Sequence, residues 1–246
     1  MKFSYSQVWN DAVEMLRNNG AIVIALAGVF IFLPALVAAY FLTPPVPKTL
    51  GELLPMWVEY MKASGHWLLL RRLFEMVGAI SLLLLFLDAR GRSVGGLISA
   101  AVMILPFYFL ATLLSSFIFA LGLLLFIVPG LYLLGRLVFV GPDVAVGGTR
   151  NPFAAITRSF AQTKGNGWAI LGLLLLIAIP GTIIAGVAGM LLGLVFLAVA
   201  GQDVGAFLTQ IVQSLASAVL GVVIIAVIAA LYRRLAGASA AAARAD

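Results

Sequence analysis

The sequence predicts an all-α fold: a polytopic transmembrane helix bundle of six spans, with short amphipathic interfacial helices on the cytoplasmic side. Three observations predict it. The 246 residues are 63% hydrophobic and 10% charged, against roughly 45–50% apolar and about 25% charged in soluble globular chains. The apolar residues gather in runs long enough to cross a bilayer, which takes about 20 residues. The basic residues, in excess at a net charge of +6, sort onto one side of the resulting topology. A single membrane domain over 1–235 is expected, followed by a disordered tail over 236–246.

Along the chain, the first element is amphipathic. Tyr5, Val8, Trp9, Ala12, Val13 and Leu16 fall at i, i+3, i+4, i+7, i+8 and i+11, which is one face of a helix. Asp11, Glu14 and Arg17 lie off that face. Such a segment either rests in the interface with Trp9 at headgroup level or packs on the protein's own cytoplasmic side. It turns at Asn19-Gly20 into span one, 20–42, which is too long to be the roughly 7–15-residue apolar core of a secretory signal.

Thr43-Pro44-Pro45-Val46-Pro47 excludes a continuing helix, and a polar stretch runs to His66. Span two, 67–87, belongs to a helix expected to begin outside the hydrocarbon and to carry Arg71, Arg72 and Glu75 at the outer interface before the clean run Met76–Leu87. These charges stand at i, i+4 and i, i+3 spacing and can pair along one face, as an interface anchor or as an outer-leaflet headgroup site. Asp88 and Arg92 repeat the spacing at the cytoplasmic end and read as a solvated helix end.

From Ser93 to Val140 there is almost no charge, and one helix over that length would be on the order of 70 Å long. Two spans are therefore expected, 94–118 and 122–141, reversing around Phe119–Gly122 beyond Ser115-Ser116. Asn151-Pro152 is a helix start, with Asn as N-cap and Pro at the first position. Phe153, Ile156 and Phe160 then line one face, and Gly165 supplies a left-handed cap. Span five, 167–200, is kinked at Pro180, and span six covers 206–232.

Six spans place both termini on one side. Lys2, Arg17, Arg90, Arg92, Arg150, Arg158, Lys164, Arg233, Arg234 and Arg244 fall there, against Lys48 and Lys62 opposite. That bias makes the termini cytoplasmic. Arg71, Arg72 and Arg136 lie within or beside spans and do not enter the count. The basic residues are scattered, unlike the clustered stripe of a nucleic-acid binder.

Candidate functional residues cluster between Leu121 and Ile179. Tyr132 and Arg136 lie in an apolar segment expected to be broken by Pro129-Gly130, and a membrane arginine is costly enough to suggest function. Arg136 can snorkel to the cytoplasmic interface with Asp143 as a partner there, or hold a lipid phosphate or substrate. Arg158 and Lys164 on the following amphipathic helix can hold anionic headgroups, or that helix can simply join two spans. Gly181, Ala185, Gly189 and Gly193 form a small-residue stripe for close helix packing, within the chain or across a dimer.

Other chemistry is absent. There is no cysteine, and His66 is the single histidine, so no metal site is expected. No phosphate loop, nucleophile elbow or catalytic dyad occurs. The chain is expected not to be an enzyme and to need no cofactor.

Val128-Pro129-Gly130-Leu131-Tyr132 through Arg136 and Pro142, then Asn151-Pro152-Phe153-Ala154-Ala155 and Arg158-Ser159-Phe160, resemble the YciC-like bacterial membrane proteins. They also resemble the membrane domain attached to some glycerophosphodiester phosphodiesterases. The resemblance implies a six-helix inner-membrane domain. Hydrolysis in the two-domain relatives belongs to a separate soluble barrel, so no hydrolase activity is expected of these residues. The expected role is a non-catalytic, lipid-associated inner-membrane protein of envelope or membrane homeostasis, with a small transporter or channel as the alternative. Membrane lipids are the expected partners; a second copy or another membrane protein stays open, and nucleic acid is not expected.

Overall fold

A computed structural model describes residues 3–88, 91–148 and 150–242. Lys2, Arg90 and Arg244, counted above on the cytoplasmic side, lie outside the described residues. Nine α-helices and one π-helical turn carry the described chain: α1 Tyr5–Asn18, α2 Gly20–Ala27, a π turn Gly28–Phe32, α3 Leu33–Phe41, α4 Leu50–Leu87, α5 Val94–Leu125, α6 Ile127–Leu137, α7 Val140–Val146, α8 Pro152–Gln162 and α9 Gly167–Ala242. Four segments are long and apolar enough to cross a membrane: Gly20–Phe41, Val94–Leu125, Ile127–Val146 and Gly167–Ala236. α4 is not among them, because Arg71, Arg72 and Glu75 interrupt its apolar run.

α1 buries Val8, Ala12 and Met15 and leaves Trp9 exposed. It lies against both ends of α9: Tyr5 Oη donates to the Ala169 carbonyl at 2.8 Å, and Arg234 Nε reaches Asp11 Oδ2 at 2.6 Å. Packing on the protein's own helices is thus what fixes α1. The Arg234 guanidinium, by its hydrogen bond, holds the Asp11 carboxyl below the usual carboxylate value, against a smaller opposing push from burial. A lowered folded-state pKa means the contact contributes above the ordinary value of about 3.9 and is lost as pH falls through the folded value. Acidification is therefore expected to loosen α1, and Asp11→Asn to remove that pH dependence. Both partners are partly exposed, so the effect should stay under about 1 kcal/mol. Hydrogen exchange at residues 5–18 as a function of pH measures it.

The first apolar segment is one rod with a defect. Its π turn carries the Leu33 N–H to the Gly28 carbonyl, and Pro34 follows immediately. A proline ring clashes with the carbonyl four residues back, here Phe30, and the widened π turn makes room for it. At the π turn itself the rod touches α4 closely: a Cβ on Gly78 would stand 2.8 Å from Phe30 Cβ.

α4 begins at Leu50, well ahead of the span expected over 67–87. Only the Pro44–Pro47 stretch breaks the chain, and Thr49 in extended conformation starts a helix of 38 residues that runs through Pro55. The Arg71–Glu75 pair forms at 2.7 Å and Arg72–Glu75 at 3.4 Å. Asp88 is the C-cap of α4, so its 2.9 Å contact with Arg92 spans the α4–α5 connection instead of running along a helix.

α5 extends to Leu125, past the reversal expected at Phe119–Gly122. Ser115 and Ser116 donate to the carbonyls of Ala111 and Thr112 at 2.8 Å each; bonded back to their own helix, they do not end it. The chain turns at Phe126, in extended backbone, and Pro129 falls in the first turn of α6, where a missing N–H costs nothing. Pro129 is a helix start, not a break. Gly122 and Gly130 let the two helices touch, since a Cβ on Gly130 would lie 2.8 Å from the Leu123 backbone nitrogen. The expected span 122–141 is in fact Ile127–Val146, jointed at Val138-Phe139.

α9 is a hairpin. Gly201 has φ 78° and ψ 178°, a region open essentially to glycine alone, and the arms on either side run antiparallel. A Cβ on Gly181 would approach Leu220, one on Gly189 Gln213 and one on Gly193 Thr209, all within 3.0 Å. Gly181, Gly189 and Gly193 of the stripe therefore face the second arm; Ala185 is half-buried on the same face. Backbone at Pro180 stays helical, so the break lies at Gly201. The helix continues to Ala242, so residues 236–242 of the expected tail are helical and 243–246 lie outside the described residues.

The main core joins α1, the Leu87 end of α4, the Val94 end of α5 and the two ends of α9, around Val8, Ile80, Leu82, Leu97, Ile170 and Leu231. Opposite ends are open, with Leu124, Leu125, Phe126, Ile184 and Val199 exposed.

Candidate functional site

The joint between α6 and α7 creates backbone groups that no helix satisfies, and α8 supplies their partners. Ser159 Oγ donates to the Arg136 carbonyl at 2.7 Å and accepts from the Phe139 N–H at 3.2 Å. A hydroxyl can do both at once. Thr163 Oγ1 lies 3.3 Å from the same Arg136 carbonyl and donates to the Ser159 carbonyl at 2.6 Å. Both residues are fully buried.

The start of α8 is built as its sequence reads: Asn151 Oδ1 accepts from Phe153 N and Ala154 N, and Gly165 takes a left-handed φ of 77°. Its packed face holds the expected Ile156, buried, and Phe160, partly buried against the core, together with Ala155 and Ser159; it differs at Phe153, which is 65% exposed, because the hydroxyls seat the helix on the α6–α7 joint.

Arg136 closes the other end of α8. Its Nη2 donates to the Phe160 carbonyl, and its Nη1 lies 3.2 Å from Tyr132 Oη and 3.5 Å from the Thr163 carbonyl. The guanidinium also sits 5.2 Å from the Phe160 ring and 5.7 Å from the Tyr132 ring. A cation at a helix C-terminus meets free carbonyls and the negative end of the dipole. Arg158 repeats the pattern, donating at 3.1 Å to the carbonyl of Gly147, which ends α7.

Asp143, expected opposite Arg136, pairs elsewhere. Its Oδ1 accepts from Tyr232 Oη at 2.8 Å and from Gln162 Nε2 at 3.2 Å, tying α7 and α8 to the end of α9. Asp143 Oδ2, Gln162 Oε1 and Arg136 Nε are buried without a partner among the described residues. The Tyr232 ring stands edge-on to Phe139 at 5.4 Å.

Of the residues singled out from sequence, Tyr132, Arg136 and Arg158 are brought together with α8, while Lys164 is exposed beside it. Arg71, Arg72 and Glu75 form their own cluster on α4, remote from this joint in the chain. Sequence reasoning missed Ser159, Thr163, Gln162 and Tyr232. The four-residue spacing of Ser159 and Thr163 on an otherwise apolar-faced helix was the available signal; the 89-residue separation of Tyr232 and Asp143 left none. Among the described residues no three His, Asp or Glu side chains gather as a metal-binding group.

The arrangement is a helix-capping and joint-sealing network. No protein-family model, no curated protein and no solved structure matches this chain.

Proposed function

We propose that this chain is a non-catalytic, lipid-associated protein of a bacterial inner membrane, acting in envelope or membrane homeostasis, with the YciC-like proteins as its family. On this reading it crosses six times with both termini in the cytoplasm. Gly167–Ala236 contributes two crossings, because it folds back at Gly201, and α4 adds the sixth over residues 67–87.

The observation that carries the reading is where the charges go. Arg136 and Arg158 turn onto backbone carbonyls, while the long helices present exposed apolar side chains at their far ends, as lipid-facing helices do. A transport path calls instead for ionisable groups facing a cavity at membrane depth. Lys164 is exposed, with Trp168 and Phe153 exposed nearby in the chain. A lysine there contributes about 1 kcal/mol toward an anionic headgroup, and Arg136 and Tyr132 hold α8 in place behind it.

The absence of cysteine allows a clean topology test. In sealed spheroplasts, Gln202→Cys at the α9 turn is expected to react with a membrane-impermeant maleimide, and Ser6→Cys only after permeabilisation. Phospholipid should remain on the protein purified in mild detergent. Equal labelling of the two positions, or purified protein free of phospholipid, would sink the reading.

A further inference from the structure

A groove of about 780 Å³ opens between the first apolar segment and α4. Leu33, Val37 and Phe41 line one wall, and Trp67, Arg71 and Phe74 the other. Its closed end is the tight Gly78–Phe30 contact, with the Phe30 and Phe74 rings stacked at 6.3 Å. That contact lies within the π turn, and beyond it, from Leu33-Pro34 to Phe41-Leu42, the walls part. A π turn of this kind is over-represented at functional sites. Here its consequence is an apolar slot rather than a packed helix pair.

One charged residue lines the slot. Arg71 gives its Nε to Glu75 at 2.7 Å, and its terminal amino groups make no hydrogen bond among the described residues. Arg72 lies 3.4 Å from the same carboxylate and is more exposed. Two guanidinium groups against one carboxylate leave the mouth positive. Along α4, Arg71 stands roughly 24 Å from the Leu87 end at about 1.5 Å per residue, which places it in the outer part of a hydrocarbon core about 30 Å thick.

We propose that this groove holds one phospholipid of the outer leaflet, an acyl chain lying between α3 and α4 and its phosphate on the Arg71–Arg72 pair. The inference rests on the reading of the chain as a lipid-associated membrane protein. The apolar walls suit a hydrocarbon chain, and the net positive mouth is complementary to a phosphodiester. The long stem of Arg71 lets the guanidinium reach toward headgroup level.

The test is native mass spectrometry of the full chain, purified in mild detergent and offered phosphatidylglycerol or the uncharged diacylglycerol with the same chains. Wild type is expected to retain one phosphatidylglycerol in preference to diacylglycerol. Val37→Trp fills the slot and should abolish that retention. Arg71→Gln, at a partly exposed position, should keep the chain but lose preference for the phosphate by roughly tenfold, the size of one charge-assisted hydrogen bond. Unchanged retention in Val37→Trp, or unchanged selectivity in Arg71→Gln, overturns the groove while wild type still carries lipid. If Val37→Trp instead splits a dimer without releasing lipid, a second copy is the occupant and the proposal is overturned. Wild type that retains no phospholipid takes down the broader lipid-associated reading as well.

Discussion

Gly135→Val is expected to produce protein that no longer purifies as a single species, with a thermal midpoint lower by on the order of 10 °C. A Cβ on Gly135 would collide with the Gly167 carbonyl oxygen and stand 3.1 Å from its carbon. The obstruction is backbone, and backbone at the first turn of α9 has no rotamer to move to. Reciprocally, a Cβ on Gly167 would lie 2.7 Å from Tyr132 Cε2 and 2.8 Å from Arg136 Cδ. Two glycines facing each other thus set the α6–α9 distance, and that distance lets Arg136 reach α8. Overpacking of this kind costs about 1–3 kcal/mol when side chains can yield and more when they cannot. Gly186→Ala is the control: nothing lies within 4 Å of a Cβ there, and alanine in a helix gains about 0.5–1 kcal/mol over glycine. Comparable losses in both variants would show that glycine content, not the α6–α9 contact, matters.

Arg136→Met should detach α8 while leaving the α9 hairpin intact. Methionine keeps a long apolar stem, but the carbonyls of Phe160 and Thr163 lose their donor. Each buried acceptor left unmet costs about 1–3 kcal/mol. The expected signature is faster hydrogen exchange and new proteolytic cuts between 148 and 166, with exchange in residues 205–230 unchanged. Arg136→Lys should give an intermediate result, since an ammonium supplies charge without the planar fork that serves two acceptors. Protection of α8 unaltered in Arg136→Met would mean that Ser159 and Thr163 alone hold the joint.

Both expectations concern one device, a broken helix repaired from outside. α6 and α7 would be a single rod were it not for the turn at Val138-Phe139, and the backbone groups freed there are answered by the Ser159 and Thr163 hydroxyls of α8, while Arg136 of α6 caps the end of α8. That makes α8 a structural member of the bundle. It also explains why a membrane arginine can be retained: its charge meets carbonyl dipoles instead of hydrocarbon.

Much of this was legible in the linear chain. Local stereochemistry wrote the Asn151-Pro152 helix start, the left-handed Gly165, the Arg71–Glu75 pair and the amphipathic face of α1, because each depends on residues within a turn or two. The limits of α5 were misread: serines that looked like a reversal signal were free to bond back to their own helix, a choice between two local options that composition does not decide. How far α4 extends ahead of its apolar run was not legible: the polar residues from Glu52 to His66 leave a helix starting outside the hydrocarbon without a fixed first residue, and it begins at Leu50, once the chain has passed the last of the clustered prolines.

Apolar runs of bilayer length, together with the one-sided placement of basic residues, determine membrane class and the expected orientation, since hydrocarbon tolerates neither unpaired backbone nor bare charge. Tertiary structure alone decided who partners whom. Asp143 with Tyr232, Arg136 with the end of α8, and Gly78 against Phe30 below an open groove all join residues far apart in sequence. In an apolar background one helix face resembles another, so only close approach between specific small residues and specific buried polar groups selects the arrangement.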